Sequence, residues 1–428
     1  MRFVTEFFRD LRTSLYRNAI FLMANTVVAS GLGFIFWMVV ARLYTPYEVG
    51  LAATIIPVVF FLGMLSRFGF DIGLVRFLPS SGKNSRAMIN SCFTISGAAA
   101  ILISFIFLMG LEIWSPALLF IRENWIFFAS FILFSVVFAL FPLMNQVFVA
   151  RRNAKFVLAG SLISGLRIVL PIFFAVFFGA FGIFASWSVA LLFALIIGML
   201  VFMPLVNPGY RPVPTVRKSV VNDMIHFSAG NYVAGIFTAM PAAVLPLLIV
   251  NTLPAENVAY YYIAFTIAWL LFAITYAVCT SLFAEGSHFE RELKSNVRKA
   301  LKFIFLLLIP AVIVVLLFGD YLLLLFEAEY SVKGLALLQI FAVSSIFVAF
   351  NSTFIATRQV LKKIKPIIAI AAFNALIIVV LGYIFLNWLG LVGIAIAWLV
   401  SQGLVSLGIG IFLLAGYVRG RRSPVHAV

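Results

Sequence analysis

The sequence predicts an all-α, polytopic membrane protein with twelve transmembrane helices, built as two parallel six-helix repeats around a central cleft. Three observations carry that expectation. Of the 428 residues, 64% are hydrophobic and 10% charged, whereas a water-soluble domain is nearer half apolar. The apolar residues gather into twelve runs of about twenty, the length a helix needs to cross the hydrocarbon core of a bilayer. Short motifs of the first half return in the second at a nearly constant spacing.

Residues 1–17 form an amphipathic cytoplasmic lead-in. Phe3, Val4, Phe7, Phe8, Leu11 and Leu15 recur at helical spacing, with Arg2, Arg9, Asp10 and Arg12 between them. The pattern fits a helix lying on the inner membrane surface or an ordinary helical approach to the first span. No small-residue cleavage site follows a short apolar core, so no removable signal peptide is read. The first bundle, residues 18–203, holds spans Asn18 to Val40, Val49 to Leu78, Ala87 to Leu111, Trp125 to Ala150, Phe156 to Phe178 and Phe181 to Met203. Residues 204–223 contain Pro204, Pro208, Pro212 and Pro214, which cannot continue a helix, and read as an extended linker. The second bundle, residues 224–415, holds spans Met224 to Val250, Val258 to Phe283, Ala300 to Phe318, Gly334 to Thr357, Ile367 to Leu386 and Val392 to Ala415. Residues 416–428 are a basic cytoplasmic tail.

The formal charge of +16 would suit nucleic acid if it formed one patch, but it is scattered through short loops between apolar runs. Most of the 30 basic residues lie at the termini and in the even-numbered loops, among them Lys83, Arg86, Arg151, Arg152, Lys155, Arg217, Lys302, Arg358, Lys362 and Lys363. Positive charge marks the cytoplasmic side. Both termini are therefore expected in the cytoplasm, with the chain in the cell membrane. Cys92 and Cys279 fall inside spans and read as small buried apolar residues. His226, His288 and His426 have no ligand spacing, so neither a metal nor a cofactor is expected.

The halves repeat each other. Pro46 and Glu48 in TPYEVG match Pro254 and Glu256 in LPAENVA. Asn145, Phe148, Ala150 and Arg152 match Asn351, Phe354, Ala356 and Arg358, and Gly182, Ile183 and Trp187 match Gly393, Ile394 and Trp398. Six spans return the chain to the side it started from, so the repeats run parallel about an axis normal to the membrane. Gly31 and Gly33 interrupt the first span; Pro241 and Pro246 interrupt the seventh, its counterpart. These four are candidate hinges of moving, substrate-lining helices, beside the plainer reading that membrane helices tolerate Gly and Pro.

The second span carries Arg67, Asp71 and Arg76. An ionised side chain near the bilayer centre costs about 2.5 to 3.5 kcal/mol on insertion scales, so such residues face a cavity or a partner. Arg67 and Asp71 are four residues apart and can pair on one helical face. Arg76 lies near enough to the helix end to snorkel to the interface. Arg167, in the fifth span, adds a second cation near mid-depth. Two arginines against one aspartate leave net positive charge, and guanidinium suits phosphate oxygens through paired hydrogen bonds. An anionic lipid head group fits. An Arg67–Asp71 pair that is only structural, and an Arg167 that pairs with Asp71, are the alternatives.

With Arg17, Asn18, LGFIFWMVVARLYTPYEVGLAAT and LSRFGFDIGLVRFLP in view, the chain resembles the polysaccharide biosynthesis or oligosaccharide repeat-unit flippases of the multidrug, oligosaccharidyl-lipid and polysaccharide (MOP) exporter superfamily. The resemblance implies a non-enzymatic carrier that moves a polyprenyl-diphosphate-linked oligosaccharide from the inner to the outer leaflet by alternating access. It implies membrane lipids and a glycan polymerase or glycosyltransferases as partners. Arg67 and Arg167 are then the expected diphosphate contacts, with Asp71 orienting Arg67 and Arg76 beside them. A cation-coupled multidrug exporter of the same superfamily needs intramembrane carboxylates, and Asp71 is the only one within the spans. An integral-membrane glycosyltransferase or polymerase needs acidic or metal-binding chemistry on a substantial outer loop. The longest, from Glu112 to Asn124 and from Gly319 to Lys333, are about a dozen residues.

Overall fold

A computed structural model describes residues 14–288 and 292–422. Twelve helices among these residues are long and apolar enough to cross a membrane: α1 Arg17–Leu43, α2 Pro46–Leu65, α3 Ser85–Met109, α4 Trp125–Ala150, α5 Lys155–Phe174, α6 Phe178–Val206, α7 Val221–Thr252, α8 Glu256–Gly286, α9 Leu293–Leu324, α10 Ala328–Val360, α11 Ile364–Leu389 and α12 Val392–Ala415. The described residues contain no strand. Most of the lead-in, residues 1–13, lies outside them. The start of the expected tail is helical, continuing α12 to Arg422.

Local chemistry sets the helix ends. Thr45 and Glu48 form a capping box at the start of α2: the Glu48 carboxylate accepts from the Thr45 amide at 3.0 Å, and Thr45 Oγ1 accepts from the Glu48 amide at 3.3 Å. Pro46 occupies the first helical position, where its missing N–H costs nothing. Asn124 caps α4 by accepting from the Ile126 amide at 2.9 Å. At the start of α1, the Asn18 side chain accepts from the Ala154 amide at 2.8 Å and ties this helix to the α4–α5 turn.

Two compact units result, Met1–Ala259 and Tyr260–Val428. The first contains α1 to α7, because α7 packs on α2 and on a short helix, Phe70–Phe77. In the second, α9 packs on α10, and α12 on α10 and α11.

The linker is shorter than expected and is not free. Met203–Val206 is helical, and helix resumes at Lys218. Residues 207–217 between them are stitched along α3. Arg86 donates to the Pro208 carbonyl at 2.7 Å, Asn90 to the Arg211 carbonyl at 3.0 Å, and the Thr215 and Arg217 amides donate to Thr94 and Ser91 at 3.1 and 3.0 Å. Positions 86, 90 and 94 lie one turn apart on one face, so the strap follows a helical stripe. Tyr210 is buried beneath it.

The repeat survives in the backbone and is refined by it. The α5–α6 turn is made by Gly179 at φ +47 and the α11–α12 turn by Gly390 at φ +63, a conformation that suits glycine. The α4–α5 and α10–α11 turns place Arg152 at φ +55 and Lys362 at φ +54. The motif comparison sets Arg152 against Arg358 instead. Helix α10 therefore runs one turn further than α4, and Arg358, expected in a loop, sits in its last turn against the Phe354 and Phe412 rings, at 4.5 and 5.1 Å.

Candidate functional site

The expected second span from Val49 to Leu78 is not one helix. Helix α2 ends at Leu65, Phe68 and Gly69 take φ +48 and +77, and the chain re-enters a helix at Phe70. The left-handed pair turns the backbone, and only glycine fits at its second position. A Cβ on Gly69 would lie 2.8 Å from the Ser228 Cβ of α7. Interrupted membrane helices expose backbone ends at depth, and such ends need partners. Tyr232 of α7 supplies one, its hydroxyl donating to the Leu65 carbonyl at 2.7 Å.

Arg67 stands at this break. Its cation follows the C-terminal end of α2, and Asp71 occupies the first turn of Phe70–Phe77, so each charge meets the helix pole that favours it. Arg67 Nε lies 3.7 Å from Asp71 Oδ2. That distance makes an ion pair but is too long for a good hydrogen bond. The remaining polar contact of the Arg67 side chain is a long one, from Nη1 to the Phe138 carbonyl at 3.5 Å. Arg67 Nε is buried with no hydrogen-bond acceptor. Asp71 Oδ1 meanwhile accepts from the Ile72 amide at 3.1 Å.

Beside this pair opens a cleft of about 890 Å³, lined among others by Asp71, Arg76, Gln146 and Phe227. Arg76 is exposed on the short helix. The cleft is thus lined by a carboxylate and a guanidinium from the short helix and an amide from α4, and the short helix joins it to Arg67.

Arg167 is held elsewhere in the same unit. Residues Ser164–Ile168 tighten into a 3-10 turn within α5, and this turn carries Arg167 inward to 6% exposure. Its guanidinium lies over the Trp187 ring at 4.2 Å and donates to the Ala29 carbonyl of α1 at 3.3 Å. Tyr44 fixes the following residues by donating to the Pro171 carbonyl at 2.9 Å. Burial, with the Glu48 carboxylate nearby, pushes the Tyr44 hydroxyl above the usual phenol range, so it remains a donor.

Arg67 and Arg167 are linked through aromatic side chains. Trp187, under Arg167, meets Phe60 at 6.2 Å, Phe60 meets Phe138 at 4.6 Å, and the Phe138 carbonyl receives Arg67. Phe36 and Trp37 of α1 complete the cluster around Trp187. Gly33 faces Arg167: a Cβ there would lie 3.9 Å from Nη2, whereas nothing lies within 4 Å of the same position on Gly31. The interruptions expected at Gly31, Gly33, Pro241 and Pro246 are not breaks, since α1 and α7 run through all four as continuous helix. The second span is broken instead, at Phe68–Gly69.

The second half lacks this chemistry. At the repeat spacing, Thr275, Cys279 and Ile378 occupy the positions of Arg67, Asp71 and Arg167. All three are buried, and α8 is unbroken where α2 is interrupted. Reading the sequence for charge found Arg67, Asp71, Arg76 and Arg167 but missed Tyr232, Ser228 and Trp187. The signal for the break was the pair Phe68–Gly69 in SRFGFD; the neutral partners Tyr232 and Trp187 have no charge to draw attention.

Residues 39–330 match the family described as polysaccharide biosynthesis protein. The chain belongs to this family. No curated protein sequence matches it. Among solved structures this polysaccharide biosynthesis protein is similar to the lipid II flippase MurJ in its inward closed conformation, at 14% identity over 91% of this chain and 86% of that one, with a TM-score of 0.72. It is also similar to an inward-facing multidrug resistance MATE transporter of the MOP superfamily, at 16% identity over 94% of both chains, TM-score 0.61. A MOP superfamily transporter from Pyrococcus furiosus, described as having a binding pocket of reversed polarity, gives 14% identity over 95% of both and a TM-score of 0.60. The fold is that of the MOP transporters.

Proposed function

We propose that the chain is a flippase of the cell membrane that carries a polyprenyl-diphosphate-linked oligosaccharide from the inner to the outer leaflet by alternating access, its termini in the cytoplasm. One observation carries the reading: Arg67 is a buried guanidinium at a helix break, with Nε lacking an acceptor. An unsatisfied charged donor is expensive to keep inside a membrane protein unless a ligand completes it. A diphosphate offers several anionic oxygens, and the planar fork of Arg matches them. Arg67 and Arg167 are its contacts, Asp71 holds Arg67 in register, and Arg76 receives the head group from the cleft. The counterpart positions in the second half, Thr275, Cys279 and Ile378, are uncharged and add no phosphate contact. Family membership and the MOP fold support a carrier of this kind.

The test is transport by the purified protein in vesicles loaded on one leaflet with a lipid-linked oligosaccharide, read by exposure of the sugar to an impermeant glycosidase. Arg67→Ala and Arg167→Ala each reduce the rate to background in correctly inserted protein. Full rates in both variants remove the arginines from the mechanism, and movement of cationic drugs with no movement of the glycan lipid replaces the reading with drug export.

A further inference from the structure

The second unit carries a charged surface that the transport site does not use. Helix α9 buries Leu293, Ala300, Ile304, Leu308, Val312 and Val315. Its other side presents Lys294, Arg298 and Lys302, each four residues from the next and all exposed. At about 1.5 Å per residue these cations form a stripe about 12 Å long on one helical face. Among the described residues none of the three has a carboxylate within ion-pair distance, whose pairs are Arg67–Asp71 and Arg122–Glu112.

The stripe does not end in more polar surface. Over the two turns after Lys302 it passes into Phe305, Leu306, Ile309 and Pro310, and the same open groove, about 770 Å³, runs across both parts. Leu306 and Ile309 are exposed, and Phe305 meets the half-exposed Phe350 of α10 at 5.2 Å. Cations followed directly by an apolar channel on a membrane helix reproduce the order of a phospholipid, phosphate first and acyl chain after.

We propose that this groove is a binding site for an anionic phospholipid. The phosphate lies between Arg298 and its neighbours Lys294 and Lys302, and an acyl chain follows Phe305, Leu306 and Ile309. A soluble phosphate would satisfy the cations but leave the apolar half of the groove unused. A zwitterionic lipid brings its own ammonium against the stripe. Both compete poorly. The inference is independent of the cargo assigned to the arginines of the first unit.

A fluorophore on Leu306→Cys, in full-length protein with Cys92→Ala and Cys279→Ala, reads the site directly in nanodiscs by quenching with brominated lipids. Brominated phosphatidylglycerol should quench at mole fractions far below those needed with brominated phosphatidylcholine. Each cation near an anionic lipid contributes a factor of about five, so Lys294→Gln, Arg298→Gln and Lys302→Gln together should cost about a hundredfold in preference. Equal quenching by the two lipids in the parent protein, which needs no charge variant to fold, overturns the proposal. So does loss of quenching on adding millimolar inorganic phosphate, which would make the stripe a site for a free anion. Raised salt should weaken the preference, because exposed charges are screened.

Discussion

Arg67 and Asp71 face each other across the first turn after the break in α2, Nε to Oδ2 at 3.7 Å, and the arginine keeps its Nε donor unused. On the proposed reading, the carboxylate keeps the cation in register while its Nε stays free for a phosphate oxygen.

Replacing Arg67 with Lys keeps the charge and discards the fork. Hydrogen bonds to charged groups contribute about 1.5 to 3 kcal/mol, so Arg67→Lys should slow glycan-lipid transport by about tenfold to a hundredfold while the melting temperature in detergent shifts little. A variant that transports at the parent rate shows that no paired phosphate contact is made there.

On the proposed reading, the driving force follows from the cargo's charge. About two negative charges on a diphosphate, moved outward against an inside-negative potential, run downhill by about 2.3 kcal/mol per charge per 100 mV. Part of that field acts on the protein's own arginines, so the usable fraction is smaller. Outward flux in vesicles should rise with imposed inside-negative potential, and Asp71→Asn should slow it without removing the voltage response. Flux that ignores potential, follows a sodium or proton gradient and loses that dependence in Asp71→Asn identifies Asp71 as an ion site.

The orientation is open to direct labelling. With Cys92 and Cys279 replaced, cysteines near Lys83, Arg152, Arg217 and Lys362 should resist an impermeant thiol reagent in intact cells, and cysteines near Glu123 and Lys333 should react. Reaction at the Arg217 position places the strap outside and inverts the topology.

Two glycines separate packing from propensity. A Cβ on Gly50 would overlap the Ala255 carbonyl, backbone that cannot swing aside, whereas nothing lies within 4 Å of that position on Gly97 in α3. Gly50→Ala should cost at least about 3 kcal/mol, at the upper end for overpacking. Gly97→Ala should be neutral or gain about 0.5 to 1 kcal/mol from helix preference. Melting of the purified variants in detergent compares them, and equal melting temperatures contradict the close α2–Ala255 approach.

The twelve spans were legible because length and apolar content suffice to mark a membrane helix. The turns at Gly179 and Gly390 agree with the repeat seen in the motifs. Hydropathy hid the break at Phe68–Gly69, which lies inside an apolar run that continues to Leu78, and the glycine of SRFGFD was its one local mark. Arg358 was misplaced for the opposite reason. Its charge looked like a loop, but the Phe354 and Phe412 rings shelter the guanidinium within the helix. The charged members of the candidate site stood out against their apolar surroundings. Tyr232 and Trp187, which hold the helix end and carry Arg167, are common residues in a chain with 13 tyrosines and 7 tryptophans, and only three-dimensional contact distinguishes them.

The strap along α3 changes where this polypeptide can be divided. The motifs place a seam between six spans and six, where a split gene would divide the repeats. Residues 207–217 are stitched to α3, however, and α7 packs on α2 and the short helix after it. Cutting at the strap would give one fragment that has lost its seventh helix and another burdened with a helix whose packing face belongs to the first. Reassembly of such fragments would have to restore the helix end beside Arg67, because Tyr232, which donates to the Leu65 carbonyl, would arrive on the other piece.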